Sequence, residues 1–515
     1  MARRPPDQEP PAPAPSTAPA GTLYVRLAVA AAVPALITII LHCLRVPLGL
    51  PRRFVYRYTP VFNWRLAETP WALLWTAAIT LGVWLALGST ARRQRAGLLL
   101  AFGGVIGFGT WSYVAPPDHV VQHVFNMLSP SQDGAFLREA LAVQDVRTYL
   151  RDYPQRAQTP PAEMRGTRVI SNPPGTTLLA AAVRHSTATH PSIRSAFQPE
   201  FESDNPALAG FAEEAADALA FAWLLTALWI TAAPVLYALG RLYFPPGPSL
   251  VFAVCALVSP MTLLFTPGKD TAQLLTVAVP LWLWLLAERR GWWAAAAGAG
   301  VASIVAVMVS LVHVWVAAVI VVATILHAWR DPQRRTRVLR VCILPAAAGA
   351  ILALLVLYIA CDANVPATVW AVAQAQSRVT RGPDAMPLLW QCLGGPFFLL
   401  FAGTALWATA LWPRAARISD EPARLGGWLI VGCLLVMVAT VGFTNIETPR
   451  LWIPFTPVLL LGLALRLRDF RLSSSQTNWP LTALVALHLL MSVLQWTLMD
   501  VRESEYRLIS RAFFG

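Results

Sequence analysis

Lysine is all but missing from this chain. Lys269 stands alone beside 39 arginines, a bias that a GC-rich genome explains without appeal to function. Charge of either sign is scarce too, at 13% of residues, where a soluble protein of this size carries roughly 25%. That leaves no room for a soluble catalytic domain of ordinary size, so any chemistry must use loops and helix ends. The six cysteines show no CxxC spacing, which excludes a zinc cluster or a disulfide scaffold; Cys361 and Cys392 bracket one expected outer loop and could pair. Internal repeats are missing, and so is a matched pair of interrupted helices, the usual mark of a secondary transporter.

What the chain has in abundance is apolar length. Hydrophobic residues make up 56% of it, and mean hydropathy is +0.53. Apolar runs of eighteen or more residues recur from near residue 25 to 499, so the bilayer is the solvent. The net charge of +13 is split into short clusters between those runs, as membrane topology requires, and does not indicate nucleic acid. The expected fold is an all-α polytopic membrane protein with about 13 transmembrane helices and a long, partly helical extracytoplasmic loop. Residues 1–21 form a Pro/Ala-rich cytoplasmic tail expected to be disordered, 22–499 the membrane-embedded domain with its loop at 116–207, and 500–515 a short C-terminal tail. The spans are expected near 24–44, 71–90, 98–115, 217–240, 247–265, 271–288, 292–309, 311–329, 338–360, 392–412, 426–443, 450–466 and 479–499.

Arginines set the orientation. With the tail cytoplasmic, "ARRQR" (91–95), "AERRG" (287–291), "RDPQRRTR" (330–337), "RAAR" (414–417) and "RLRDFR" (466–471) lie inside. Leaving out the long loop, which the rule does not count, short segments place twenty basic residues inside and twelve outside. Five arginines of the first outer loop oppose this assignment. The long loop, the "TPGKDT" turn, the 361–391 loop and "TNIETPR" then share the extracytoplasmic side, an asymmetry that favours an enzyme with a loop-built site at one face.

Four places on that face carry reactive groups. Asp133 lies just past an apolar helix, where Ser131 can cap a new helix near 132 whose Phe136, Leu137, Ala140, Leu141 and Leu150 recur at helical spacing; it is either a helix-start residue serving the macrodipole or a general base at the interface. Asn172-Pro173-Pro174-Gly175 is a stiff corner before the next apolar helix, structural or cavity-lining. Lys269 and Asp270 follow Pro267-Gly268 at a helix mouth, where an ammonium could hold a phosphate or merely anchor the turn. Glu447 and Arg450 open a Pro-rich helix and either neutralise each other or offer a guanidinium. His119 and His123 have the i, i+4 spacing of helical metal ligands without an evident third ligand, and His313 lies inside an apolar helix, where a hydrogen-bonded packing role is the usual one.

With these residues in hand, the chain resembles the GT-C superfamily of polytopic membrane glycosyltransferases, such as the protein mannosyltransferases and the lipid A aminoarabinose transferase. Asp133 matches the family's catalytic acid at the start of a large outer loop. Asn172-Pro173-Pro174-Gly175 is similar to the family's His-Pro-Pro turn with Asn in place of His. Lys269-Asp270 resembles an outer-turn acidic position, and Glu447-x-x-Arg450 a late outer-loop Glu/Arg pair. Two helices more than usual precede Asp133. The resemblance implies a bacterial plasma-membrane enzyme that takes a sugar from a polyprenyl-phosphate carrier to a glycan, lipid or protein acceptor on the extracytoplasmic face, with inversion at the anomeric carbon. Asp133 would be the base, and Lys269, Arg450, Arg378 or Arg381 would steady the departing phosphate, with Asp270, Glu447 and Asn172 lining the site. No cofactor is certain, a divalent metal ion being the one the chemistry admits. A transporter or flippase of lipid-linked glycans, or a surface polysaccharide polymerase or ligase, would share much of this layout.

Overall fold

A backbone in hydrocarbon has no water to bond, so each apolar run closes its hydrogen bonds on itself as a helix. The computed structural model describes residues 20–45, 48–50, 54–58, 64–115, 119–129, 132–165, 167–198, 206–381, 403–411, 421–440, 448–467 and 474–500. In chain order these form α1 (Ala20–Cys43), the hairpin of β1 (Leu48–Leu50) and β2 (Phe54–Tyr58), α2 (Trp64–Ala86), α3 (Ala91–Val114), α4 (His119–Leu128), α5 (Gly134–Glu139), α6 (Val146–Gln158), α7 (Gly175–Thr189), α8 (Pro191–Phe197) and α9 (Pro206–Gly240). Then come α10 (Pro246–Leu257), α11 (Pro260–Leu264), α12 (Lys269–Arg290), α13 (Trp293–Val309), α14 (Val312–Ala328), α15 (Pro332–Val338), α16 (Leu344–Cys361) and α17 (Val365–Arg381). The last elements are α18 (Thr404–Leu411), α19 (Glu421–Thr440), α20 (Thr448–Leu451), α21 (Thr456–Leu467), α22 (Ser474–Leu498) and β3 (Met499–Asp500), which pairs antiparallel with β2.

Among the described residues eight helical segments are long and apolar enough to cross a membrane: α1, α2, α3, α9, α12, the continuous α15–α16 unit, α19 and α22. The protein is helical and consistent with a multi-pass membrane protein, with eight such spans where thirteen were expected. Four more segments, α10, α13, α14 and Ile453–Arg466, are apolar but shorter. The remaining expected span, 392–412, is described only over 403–411.

One unexpected break accounts for part of the shortfall. The run expected at 247–265 splits at Val258-Ser259, because Pro260 has no N–H to continue the ladder and Ser259 with Thr262 forms a capping box for α11. The carbonyl freed at Leu257 accepts from Trp229 Nε1 at 3.0 Å and from Thr262 Oγ1 at 3.0 Å. Ser310 parts α13 from α14 in extended conformation, and its carbonyl is bonded by the His313 ring at 3.0 Å.

The segment between α3 and α9 folds into a small helical cap. One amphipathic helix was expected from 132 past Leu150, lying in the interface. Instead Asp145 starts a second helix, accepting from the Thr148 N–H at 2.7 Å. Phe136 and Leu137 are fully buried with Met164, Val169 and α9 residues, whereas Leu141 is 59% exposed. Thr187 and Arg184 of α7 both meet Asp217 of α9, which ties the cap to the bundle.

Small residues let α13 and α16 touch backbone to backbone. A Cβ at Gly300 would lie 2.0 Å from the Ala346 carbonyl, and one at Gly349 2.0 Å from the Ala297 carbonyl. Gly300→Leu is therefore expected to force the pair apart and cost about 1–3 kcal/mol. Thermal unfolding in detergent measures it, and an unchanged midpoint would contradict the close crossing.

Candidate active site

The first turn of α12 projects Lys269 and Asp270 against the cap, and five charged groups meet there. Asp133 precedes α5 at its N-cap position, yet its side chain makes no cap bond to its own helix. It reaches across instead: one oxygen accepts from the Lys269 backbone N–H at 2.7 Å, the other from Arg168 Nη1 at 2.6 Å. Asp133 thus caps α12, where the helix dipole favours a negative charge. Arg168 Nη2 also donates to Asp270 at 2.9 Å, so one guanidinium bridges both carboxylates.

Asp270 gathers the rest. Arg450 Nε lies 2.7 Å from it, Lys269 Nζ 3.7 Å, and Gln273 Nε2 donates at 3.0 Å. Lys269 Nζ donates to Asn172 Oδ1 and lies 5.5 Å from the Phe136 ring centroid. Three cations and two carboxylates make a net charge of +1, in a cluster where Asp133, Lys269, Asp270 and Arg450 are at most 6% exposed.

The Asn-Pro-Pro-Gly corner supplies Asn172 and steadies Arg168. Asn172 Nδ2 donates to the Arg168 carbonyl at 2.7 Å, and Tyr153 of α6 donates its hydroxyl to the Asn172 carbonyl at 2.6 Å and to that of Val169 at 3.1 Å. Burial, with Glu139 nearby, pushes the Tyr153 hydroxyl up, so it stays protonated as a donor. Gly175 closes the corner because a Cβ there would lie 2.5 Å from the Met308 carbonyl. A second ion pair, buried Glu139 with half-buried Arg156 at 2.6 Å, braces α5 against α6.

No protein family and no curated protein matches the chain. The site is therefore read from its geometry alone.

Asp133, Asn172, Lys269, Asp270 and Arg450 thus come together from segments far apart in sequence. Arg378 does not join them. It donates to the Ala157 and Gln158 carbonyls at the end of α6, where a cation suits the helix C-terminus. Arg381 ends α17, with its side chain outside the described residues, and Glu447 lies outside them altogether. His123 is buried, its ring stacked on Tyr113 and Nε2 2.6 Å from the Tyr113 carbonyl, a packing arrangement rather than a ligand's; the His119 side chain is outside the described residues. Among the described residues no group of three or more His, Cys, Asp or Glu could hold a metal ion. His313 bonds Thr276 at 2.8 Å, below the cluster on α12.

Arg168 and Gln273 escaped the sequence reading. Gln273 had a signal, one helical turn after Asp270. Arg168 had only its place four residues before Asn172, which does not distinguish it among so many arginines.

Arg168→Gln removes the charge shared by two buried carboxylates and should cost about 3–5 kcal/mol. Adding Asp133→Asn should restore part of that loss. Thermal midpoints of wild type, single and double variants test the pair, and an Arg168→Gln midpoint equal to wild type would contradict it.

Proposed function

We propose that the protein is a GT-C-type glycosyltransferase that moves a sugar from a polyprenyl-phosphate carrier to an acceptor hydroxyl at the extracytoplasmic face of a bacterial plasma membrane. The observation that carries this reading is the buried cluster with one surplus positive charge at a helix N-terminus. A phosphodiester brings one negative charge and neutralises it, and Arg168, Lys269 and Arg450 are the groups that would bind it. In the thirteen-span threading with a cytoplasmic tail, this end of α12 faces outward.

The chemistry follows from the same contacts. The acceptor oxygen attacks the anomeric carbon opposite the phosphate and passes its proton to Asp133. The bond from that carbon to the phosphate oxygen breaks, its electron pair leaves on the polyprenyl phosphate, and the sugar is inverted. The three cations stabilise the charge that develops on the leaving oxygen. Phosphate competing for Arg168 would draw that guanidinium from Asp133 and free the carboxylate oxygen that it now holds, so donor binding would expose the base. An apolar cavity further along α12 would take the carrier's tail. A cavity of about 250 Å³, lined by Val277, Pro280, Trp284, His313 and Ala346 among others, opens between α12, α13, α14 and α16.

Full-length protein in proteoliposomes with a labelled polyprenyl-phospho-sugar tests the proposal. Label should pass to an acceptor, and Asp133→Asn should slow transfer by about 10² or more. Transfer by Asp133→Asn at the wild-type rate would remove Asp133 from the mechanism, and label crossing the bilayer without bond exchange would make the protein a transporter.

A further inference from the structure

A polar cavity lies at the other end of α12, and it is independent of the transfer reading. α12 has 22 residues and so spans about 33 Å, close to the roughly 30 Å of a hydrocarbon core. Its two ends therefore sit at opposite membrane surfaces. Three exposed tryptophans flank the far end: Trp292, Trp293 and Trp329. Such residues sit at the depth of lipid headgroups. Arg290 lies 5.5 Å from the Trp292 ring centroid and Arg335 6.0 Å from that of Trp329.

At that depth a cavity of about 310 Å³ opens between α12, α15 and the start of α19. Its acids are already engaged. Glu288 and Glu421 both pair with Arg334, and Asp331 accepts the Gln333 and Arg334 N–H groups at 3.0 and 3.2 Å to cap α15. Arg289 and Arg337 also line the cavity, and among the described residues neither makes an ion pair; Arg289 rests over the Tyr243 ring. Val338, Val341 and Cys342 supply an apolar wall beside them.

We propose that this cavity binds the phosphate of an anionic phospholipid headgroup, gripped by Arg289 and Arg337, with the glycerol carbons against Val338 and Val341. Guanidinium pairs phosphate in a fork geometry that an ammonium cannot copy. The belt of tryptophans places the site where a lipid phosphate lies. Its apolar wall suits a lipid stem better than a free, fully hydrated anion.

The test uses delipidated full-length protein in detergent, titrated with phosphatidylglycerol and read by native mass spectrometry. Wild type should retain the lipid, and Arg289→Gln/Arg337→Gln should weaken retention by roughly 10-fold or more. Arg335→Gln, facing Trp329 outside the cavity, should weaken it less than Arg337→Gln does. Should the double variant fail to fold, single Arg337→Gln is read instead and should still weaken retention beyond that of Arg335→Gln. The proposal falls if these variants hold phosphatidylglycerol like wild type. It falls equally if phosphatidylcholine binds as tightly, or if inorganic phosphate displaces the lipid, which would make the site one for a free anion.

Discussion

One guanidinium holds the cap to the first turn of α12. Arg168 lies between Asp133 and Asp270, and without it Asp133 would have no cation partner, its carboxylate held only by the Lys269 backbone N–H. Unpaired buried charge is costly enough to rearrange a structure, so the cap and α12 are bound to each other through this bridge. Tyr153, Asn172 and the Pro-Pro-Gly corner hold Arg168 in place; Lys269 and Arg450 then bring the cluster to a charge of +1. Replacing the whole network by apolar side chains would cost a fold of this kind little. On the proposed reading, the surplus charge is there to meet an anionic ligand.

The bundle makes that arrangement possible by breaking its own helices. Pro260 and Ser259 end α10 early, and the short α11 leads into the turn that presents Lys269 and Asp270. Orphaned carbonyls along these breaks find donors in Trp229, Thr262 and His313, as a low-dielectric interior demands. At the opposite end Arg334 joins Glu288 and Glu421, so α12 is pinned at both surfaces.

Local chemistry made much of this legible in the sequence. Asp133 and the Asn172 corner were readable from turn residues, Lys269 from being the single lysine, and Arg450 from its place at a helix start. Apolar periodicity located helices at or near each described span, but hydropathy alone does not see a capping box, so 247–265 looked continuous. The Asp145 cap was missed for a similar reason: apolar spacing ran on across it. Arg168 was out of reach in principle, because its partners lie 35 and 102 residues away and only tertiary closure selects it from the other arginines. Arg378 misled because a cation on an expected outer loop looks the same whether it meets a ligand or a helix end.

The most direct measurement is an experimental structure of the full-length protein with a polyprenyl phosphate bound. The phosphate should lie within hydrogen-bond distance of Lys269 and Arg450 at the N-terminus of α12, with Arg168 turned from Asp133 toward it. A phosphate seated elsewhere, with the Asp133–Arg168–Asp270 bridge intact, would contradict it.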